Sequence, residues 1–442
     1  MKQLKNTNPW AWIPTLYFAQ GIPYFAVNTI SVLMFKKMGM SNADMALYTG
    51  WLYLPWVIKP FWSPFVDIIK TKRWWTVSMQ LVMAVALACI AFTLPDVPAD
   101  EIATGHVPAS LFSVCLAVFW IIGFASATHD IASDGYYMVA LNSNQQSLFV
   151  GIRSTAYRLA SIFGQGALVV LAGWLEKSTG NIPLAWTYTF YAISAMFALI
   201  TLYHTYILPR PATDHSVTEG KENSSILKEF FGTFGSFFRK PQVGIAILFI
   251  LFFRLPEAQL VKLIQPFLVD PIERGGLGLS TAELGLVYGT IGILGLTIGG
   301  IIGGICASRG GLKKWLWPMS LSISLTCITF CYLSVFQPQN MAIISTCVFI
   351  EQFGYGFGFT AFMLFMMYFA EGEHKTSHYA ICTAFMALGM MLPGMAAGWI
   401  QEQMGYANFF WWVFGCNIAT WIVTALIKVD PSYGKKVEAK KN

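Results

Sequence analysis

Ser63-Pro64-Phe65-Val66-Asp67, followed by Lys72-Arg73-Trp74, joins two long apolar stretches of the chain. Gly304-Ile305-Cys306-Ala307-Ser308, followed by Lys313-Lys314-Trp315, joins two more. One shift of 241 positions carries Asp67 onto Ser308, Lys72 onto Lys313, Arg73 onto Lys314 and Trp74 onto Trp315. Taken singly, each turn would be only a positive anchor beside the membrane. The shared offset argues instead for an internal duplication, with one copy of the turn after the second apolar stretch of each half.

Composition sets the solvent for these stretches. The 442 residues are 56% hydrophobic and 11% charged, against roughly 25% charged in a soluble domain. Mean hydropathy is +0.56. So few charges exclude an ordinary soluble enzyme, and so much apolar surface excludes a disordered chain. The apolar runs are about 20 residues or longer, which suits helices crossing a bilayer rather than the shorter alternating strands of a β-barrel. The net charge of +6 comes from residues in short loops, so no nucleic-acid partner is expected. The eight cysteines all lie in apolar stretches, without CxxC or zinc-ligand spacing, and read as small core residues. No metal, cofactor or catalytic set is expected. A G-x-x-x-x-G-K-[ST] phosphate loop is missing from the sequence, so any transport should be secondary and ion-coupled.

Twelve spans are expected, at about 9–35, 43–66, 74–95, 109–139, 146–173, 183–208, 241–270, 280–307, 313–335, 340–370, 376–402 and 405–428. They divide the chain into a six-helix bundle (1–208), a linker (209–240) and a second six-helix bundle with a basic tail (241–442). The linker carries Ile226, Leu227, Phe230, Phe231, Phe234, Phe237 and Phe238 at helical spacing, and reads as an amphipathic helix on the cytoplasmic membrane surface. With a cytoplasmic N-terminus, 19 Lys and Arg residues fall in cytoplasmic segments and 4 on the opposite side, so both termini are expected inside. The glycines of span 8, at 285, 289, 292, 295, 299, 300, 303 and 304, read as a close helix contact.

Ionisable groups inside a bilayer need a partner or a wet cavity. Span 2 carries Lys59; span 4 His129, Asp130 and Asp134; span 5 Arg153 and Arg158; span 7 Arg254, Glu257 and Lys262; span 10 Glu351. Asp130 and Asp134 share a helix face near the cytoplasmic end, at the expected height of Lys59, Arg153 and Arg158. Those cations either lock helices together or attend a carboxylate that exchanges protons, and Asp130, Asp134, Glu257 and Glu351 are the proton candidates. His129 points elsewhere and reads as a satisfied core group. Span 1 has a polar stripe of Tyr17, Gln20, Tyr24 and Asn28, and span 5 a similar one that includes Arg158 and Gln165. Rings with amides and hydroxyls suit a saccharide, although such groups also bind helices to one another. With Lys59, Arg254 and Tyr355, these residues are the substrate-contact candidates. Asp67 is expected to gate by meeting a helix N-terminus or the basic turn of Lys72 and Arg73.

Two six-span repeats, each with a basic turn after its second span, resemble the major facilitators, whose spans 1, 4, 7 and 10 line a central cavity. The expected fold is therefore an all-α polytopic membrane protein of two pseudo-symmetric bundles. Within that group the chain resembles the AmpG-type muropeptide permeases, in the peptide/acetyl-CoA/drug transporter branch. The resemblance lies in Gly21-Ile22-Pro23, 59–67, 126–134, Tyr157-Arg158-Leu159, Arg254-Leu255-Pro256-Glu257, 265–268 and 393–399. It implies proton-driven import of N-acetylglucosaminyl-anhydro-N-acetylmuramyl peptides, with roles for Lys59, Asp130, Asp134 and Arg158 in handling substrate or protons. The chain departs from the family after Asp134, where Tyr136, Tyr137, Met138 and Val139 replace its aromatic, Lys, Thr and Asp, and at 142–146. Arg153 has no family counterpart. Another saccharide, a siderophore, a drug or an acyl-nucleotide remains an alternative solute, and a non-transporting sensor an alternative class. The implied partners are a small solute, protons and the lipid bilayer, and the chain is expected to work as a monomer in the bacterial inner membrane.

Overall fold

The computed structural model describes residues 8–141, 143–211, 214, 232, 234–371, 375–431 and 433. For residues 64, 65, 67, 68, 143–148, 150, 151, 154, 308 and 375–377 it describes the backbone alone. All regular structure among them is helical. Among the described residues, ten helices are long and apolar enough to cross a membrane. Leu81, Val85, Phe92, Leu199, Ile418 and Ile422 are among the many large apolar side chains exposed on their outer faces. Such a surface is tolerated only against lipid, so the chain is a multi-pass integral membrane protein.

The chain divides into two compact units, Met1–Phe231 and Gly232–Asn442. In the first unit α1 is Pro9–Lys37, α3 Lys72–Thr93, α4 Ser113–Ala140 and α6 Ile182–Ile207. The second expected span is not one helix. It consists of Asn42–Trp51 and Leu54–Ile69, here α2a and α2b, interrupted at Leu52-Tyr53. Pro55 explains the restart, because proline fits the first helical turn, where its missing N–H costs nothing. α5 runs from Ser143–Ile162 through a widened π-type turn, Phe163–Ala167, into Leu168–Thr179. α1 has a similar turn at Ala26–Ile30.

In the second unit α7 is split into Val243–Phe252 and Leu255–Val269. Pro256 cannot donate to the carbonyl four residues back, and the helix breaks there. Beside the break, the carbonyl of Phe253 accepts from the Thr420 hydroxyl at 3.0 Å. α8 starts with a capping box of Ser280 and Glu283 and reaches Gly310; α9 is Leu312–Phe336 and α10 Met341–Ala370. Helix then runs over Lys375–Leu426, except that Gly405 adopts φ 75, ψ 167. That conformation suits glycine and divides the run into α11 (375–404) and α12 (406–426).

The linker is only partly described. Ile226, Leu227, Phe230 and Phe231 lie outside the described residues. Phe237 is fully buried in the core of the second unit, where its ring meets Phe369, His378 and Phe385. Beside it Lys240 Nζ donates to the carbonyls of Phe369 and Glu371 at the end of α10, a favourable place for a cation.

Candidate functional site

In the first unit Tyr17 and Gln20 lie three residues apart on α1, and Asp130 and Asp134 four apart on α4. Both spacings put a pair on one helix face. Tyr17 OH donates to Asp134 Oδ1 at 3.1 Å, and Gln20 Nε2 donates to Asp130 Oδ1 at 2.7 Å. Each carboxylate also faces a cation. Lys59 Nζ of α2b is 3.7 Å from Asp130 Oδ2, and Arg153 Nη2 of α5 is 2.7 Å from Asp134 Oδ1. Four helices thus build two adjacent triads, Gln20–Asp130–Lys59 and Tyr17–Asp134–Arg153. The triads differ in kind. A contact of 3.7 Å is beyond hydrogen-bond range, so the short bond to Asp130 comes from a neutral amide. Asp134 has a short charge-assisted bond instead.

The rest of the α1 stripe continues the same face. Asn28 Nδ2 donates to the Tyr24 carbonyl at 3.1 Å. The Tyr24 ring packs edge-on against Trp56 at 5.3 Å and Tyr53 at 6.4 Å, and tilted against Tyr157 at 6.5 Å. Gln20 Oε1 and Asn28 Oδ1 are buried acceptors without a hydrogen bond among the described residues. An unbonded buried acceptor costs about 1–3 kcal/mol, so donors from a solute or from water would be favoured at both. On α5, Gln165 Nε2 donates to Ser161 Oγ at 2.9 Å, and Arg158 is partly buried five residues beyond Arg153.

On the other side of α4, His129 belongs to a separate chain of buried polar groups. Gln80 Nε2 meets His129 Nε2, Gln80 Oε1 meets His204 Nδ1, and His204 Nε2 meets Thr15 Oγ1, each at 2.9 Å. This chain joins α1, α3, α4 and α6, and His129 is a satisfied core group. The sequence reading missed Gln80 and His204. The signal available was an amide and an imidazole alone in apolar spans.

In the second unit the break in α7 aims Arg254. Its Nε donates to Glu257 Oε2 at 2.8 Å and its Nη2 to Tyr355 OH at 2.7 Å, with Phe359 under the guanidinium at 4.7 Å. The ion pair is buried, at 8% and 5% side-chain exposure. Glu257 Oε1 has no hydrogen bond among the described residues. Glu351 Oε2 accepts from Gln352 Nε2 at 2.8 Å, and the Tyr288 phenol lies within electrostatic reach of Glu257, Glu351 and Tyr355. Lys262 is buried beside Gly394, where an added Cβ would meet its Cγ at 3.2 Å.

Of the expected gating residues, Asp67 lies near the end of α2b, and Lys72 and Arg73 open α3. The Asp67 side chain is outside the described residues. The backbone N–H groups of Lys72 and Arg73 donate to Asp214 Oδ1 and Oδ2 at 2.8 and 3.0 Å. The Arg73 guanidinium donates to the carbonyls of Leu208 and Thr205 at the end of α6. The second unit has a comparable return, in which Leu312 N at the start of α9 donates to the Tyr433 carbonyl at 3.1 Å.

The Major Facilitator Superfamily profile matches residues 15–392. The chain belongs to that superfamily. Among individual relatives, this major facilitator is 25% identical over 405 residues to the anhydromuropeptide permease of Escherichia coli K12, covering 89% of this chain and 74% of that one. It is also 25% identical to a Rickettsia conorii protein named AmpG 4, covering 89% and 90% of the two chains. Solved structures with the same fold include the nucleoside transporter NupG (TM-score 0.67, 15% identity, 95% of this chain and 99% of that one). A D-xylose-proton symporter superposes with TM-score 0.68 at 13% identity, over 97% and 99%. The superfamily makes the chain a membrane transporter, and its sequence is similar over most of its length to AmpG-type permeases.

Proposed function

We propose that this transporter imports a muropeptide, or a related amino-sugar saccharide, together with protons by alternating access. The Gln20–Asp130–Lys59 triad carries the coupling part of the reading. Protonating Asp130 would break no short ion pair, because its cation stands 3.7 Å away. The carboxylate can therefore gain and lose charge at a modest local cost, as a proton carrier must. Asp134, Glu257 and Glu351 are the further proton sites of this reading. The substrate part rests on the likeness to anhydromuropeptide permease and on the amide-rich, ring-lined face of α1. Tyr17, Gln20, Tyr24, Asn28, Lys59, Arg158, Gln165, Arg254 and Tyr355 would contact the solute. Asp67, Lys72 and Arg73 would gate the cytoplasmic side, with both termini in the cytoplasm of a bacterial cell and the chain acting as a monomer.

The test is uptake of labelled anhydro-muropeptide into proteoliposomes, with and without an inward proton gradient. Accumulation that requires the gradient is expected from the native chain. Asp130→Asn should lose the gradient-driven accumulation and retain exchange of labelled for unlabelled solute. Uptake of a simple sugar but not of muropeptide would replace the substrate and keep the class. Accumulation by Asp130→Asn equal to the native chain would remove Asp130 from the coupling.

A further inference from the structure

We infer that Arg153 recognises a carboxylate on the transported solute, and that Asp134 occupies the place of that carboxylate when the solute is absent. The inference rests on the proposed saccharide-peptide substrate and adds which charge of it is recognised, and by which residue.

Four observations support it. First, the Arg153 fork is barely used. Of its five N–H donors, one bonds Asp134 and no other bonds any group among the described residues. Second, the guanidinium is held in place without those donors. It lies over the Tyr17 ring at 4.3 Å and over the Tyr137 ring at 5.2 Å, and both tyrosines are buried. Cation–π contact fixes the plane of the cation and leaves its N–H edge for an anion. Third, Asp134 is an incomplete partner. Tyr17 and Arg153 both bond its Oδ1, so the two-pronged match that arginine makes with a carboxylate is not formed here. Fourth, the pair is open, with 29% of the Arg153 side chain and 46% of the Asp134 side chain exposed. An ion pair so exposed is weak, so a solute carboxylate can displace Asp134 at little cost. Arg254 in the second unit is unlike this, since it is buried and already bonds both Glu257 and Tyr355.

Displacement also links the two events at this site. A carboxylate that takes Arg153 leaves Asp134 with the Tyr17 hydroxyl and no short-range cation. The anion in the solute and the charge on Asp134 therefore compete for one guanidinium.

The experiment is equilibrium binding to the full chain in lipid nanodiscs. The ligands are N-acetylglucosaminyl-anhydro-N-acetylmuramyl peptide with free carboxylates and the same molecule with every carboxylate amidated. The native chain should prefer the charged ligand. Arg153→Gln should cut that preference roughly tenfold or more, the loss of a charged hydrogen bond, and Arg153→Lys should retain part of it. Asp134→Asn removes the competitor and should strengthen the preference, an outcome that a merely structural ion pair would not give. Equal binding of both ligands by the native chain would overturn the inference and leave the proposed function standing. An equal loss for both ligands in Arg153→Gln, with no gain in Asp134→Asn, would also overturn it. Binding of neither ligand would overturn the proposed function, and this inference with it.

Discussion

Arg254 and Arg153 each face a carboxylate at under 3 Å, yet burial gives the two pairs opposite consequences. Removing the charge of Glu257 leaves a buried guanidinium without its counter-ion. Glu257→Gln should therefore destabilise the protein by about 3–5 kcal/mol, read as a fall in the thermal unfolding midpoint in detergent. Asp134→Asn, at the open pair, should cost about 1 kcal/mol or less in the same assay. The buried chain through Gln80 gives a third case. Gln80→Leu would strip a partner from both His129 and His204 and should cost about 2 kcal/mol or more. The carboxylates and the α1 stripe were legible in the sequence because spacings of three and four put their side chains on common faces. Which arginine of α5 meets Asp134 was not legible. Arg153 and Arg158 are both near the right height, and the rotation of α5 against α4 is set by packing that a single-helix pattern does not contain. For the same reason nothing in the spacing paired Gln80 with two histidines far away in the chain.

The helices themselves show a similar division. The glycines at 292, 295, 299 and 303 of α8 all face α10, and their spacing had announced a close contact. The approach is tight in both directions. A Cβ at Gly299 would stand 2.2 Å from the Phe353 carbonyl oxygen, and one at Gly356 of α10 would stand 2.1 Å from that of Leu296. Backbone cannot yield as a side chain can, so Gly356→Ala should push the helices apart and cost at least about 1–3 kcal/mol. Gly304 has open space around its would-be Cβ. Gly304→Ala should be neutral, or stabilising by up to about 1 kcal/mol through helix propensity. Thermal unfolding of the two variants side by side distinguishes packing from propensity. The breaks in the second and seventh spans were harder to foresee. Pro55 and Pro256 are visible in the sequence, but apolar run length alone reads through them. At Arg254 the consequence is chemical, because the break places that side chain beside the first turn of the following helix, where Glu257 is favourably placed.

At the scale of the whole molecule, each unit fastens its own last segment to its own third helix, through Asp214 in one and Tyr433 in the other. Each unit should therefore hold together as a separate polypeptide. Co-expressing 1–214 with 215–442 is expected to give two fragments that both insert and resist proteolysis in the membrane; degradation of either fragment would contradict this. The twelve stretches of the sequence are all built on helix here, though ten satisfy length and apolarity as continuous spans. The remainder are the interrupted α2 and the last helical run, which is divided at Gly405. The grip of α1 on α4 has a last consequence. Tyr17 and Gln20 engage neighbouring carboxylates from one helical turn, so α1 cannot rotate away from one and keep the other. A catch with two teeth on one shaft releases in a single click. The first unit should then rest in discrete positions, with the carboxylates held or both set free, rather than drift through a continuum between them.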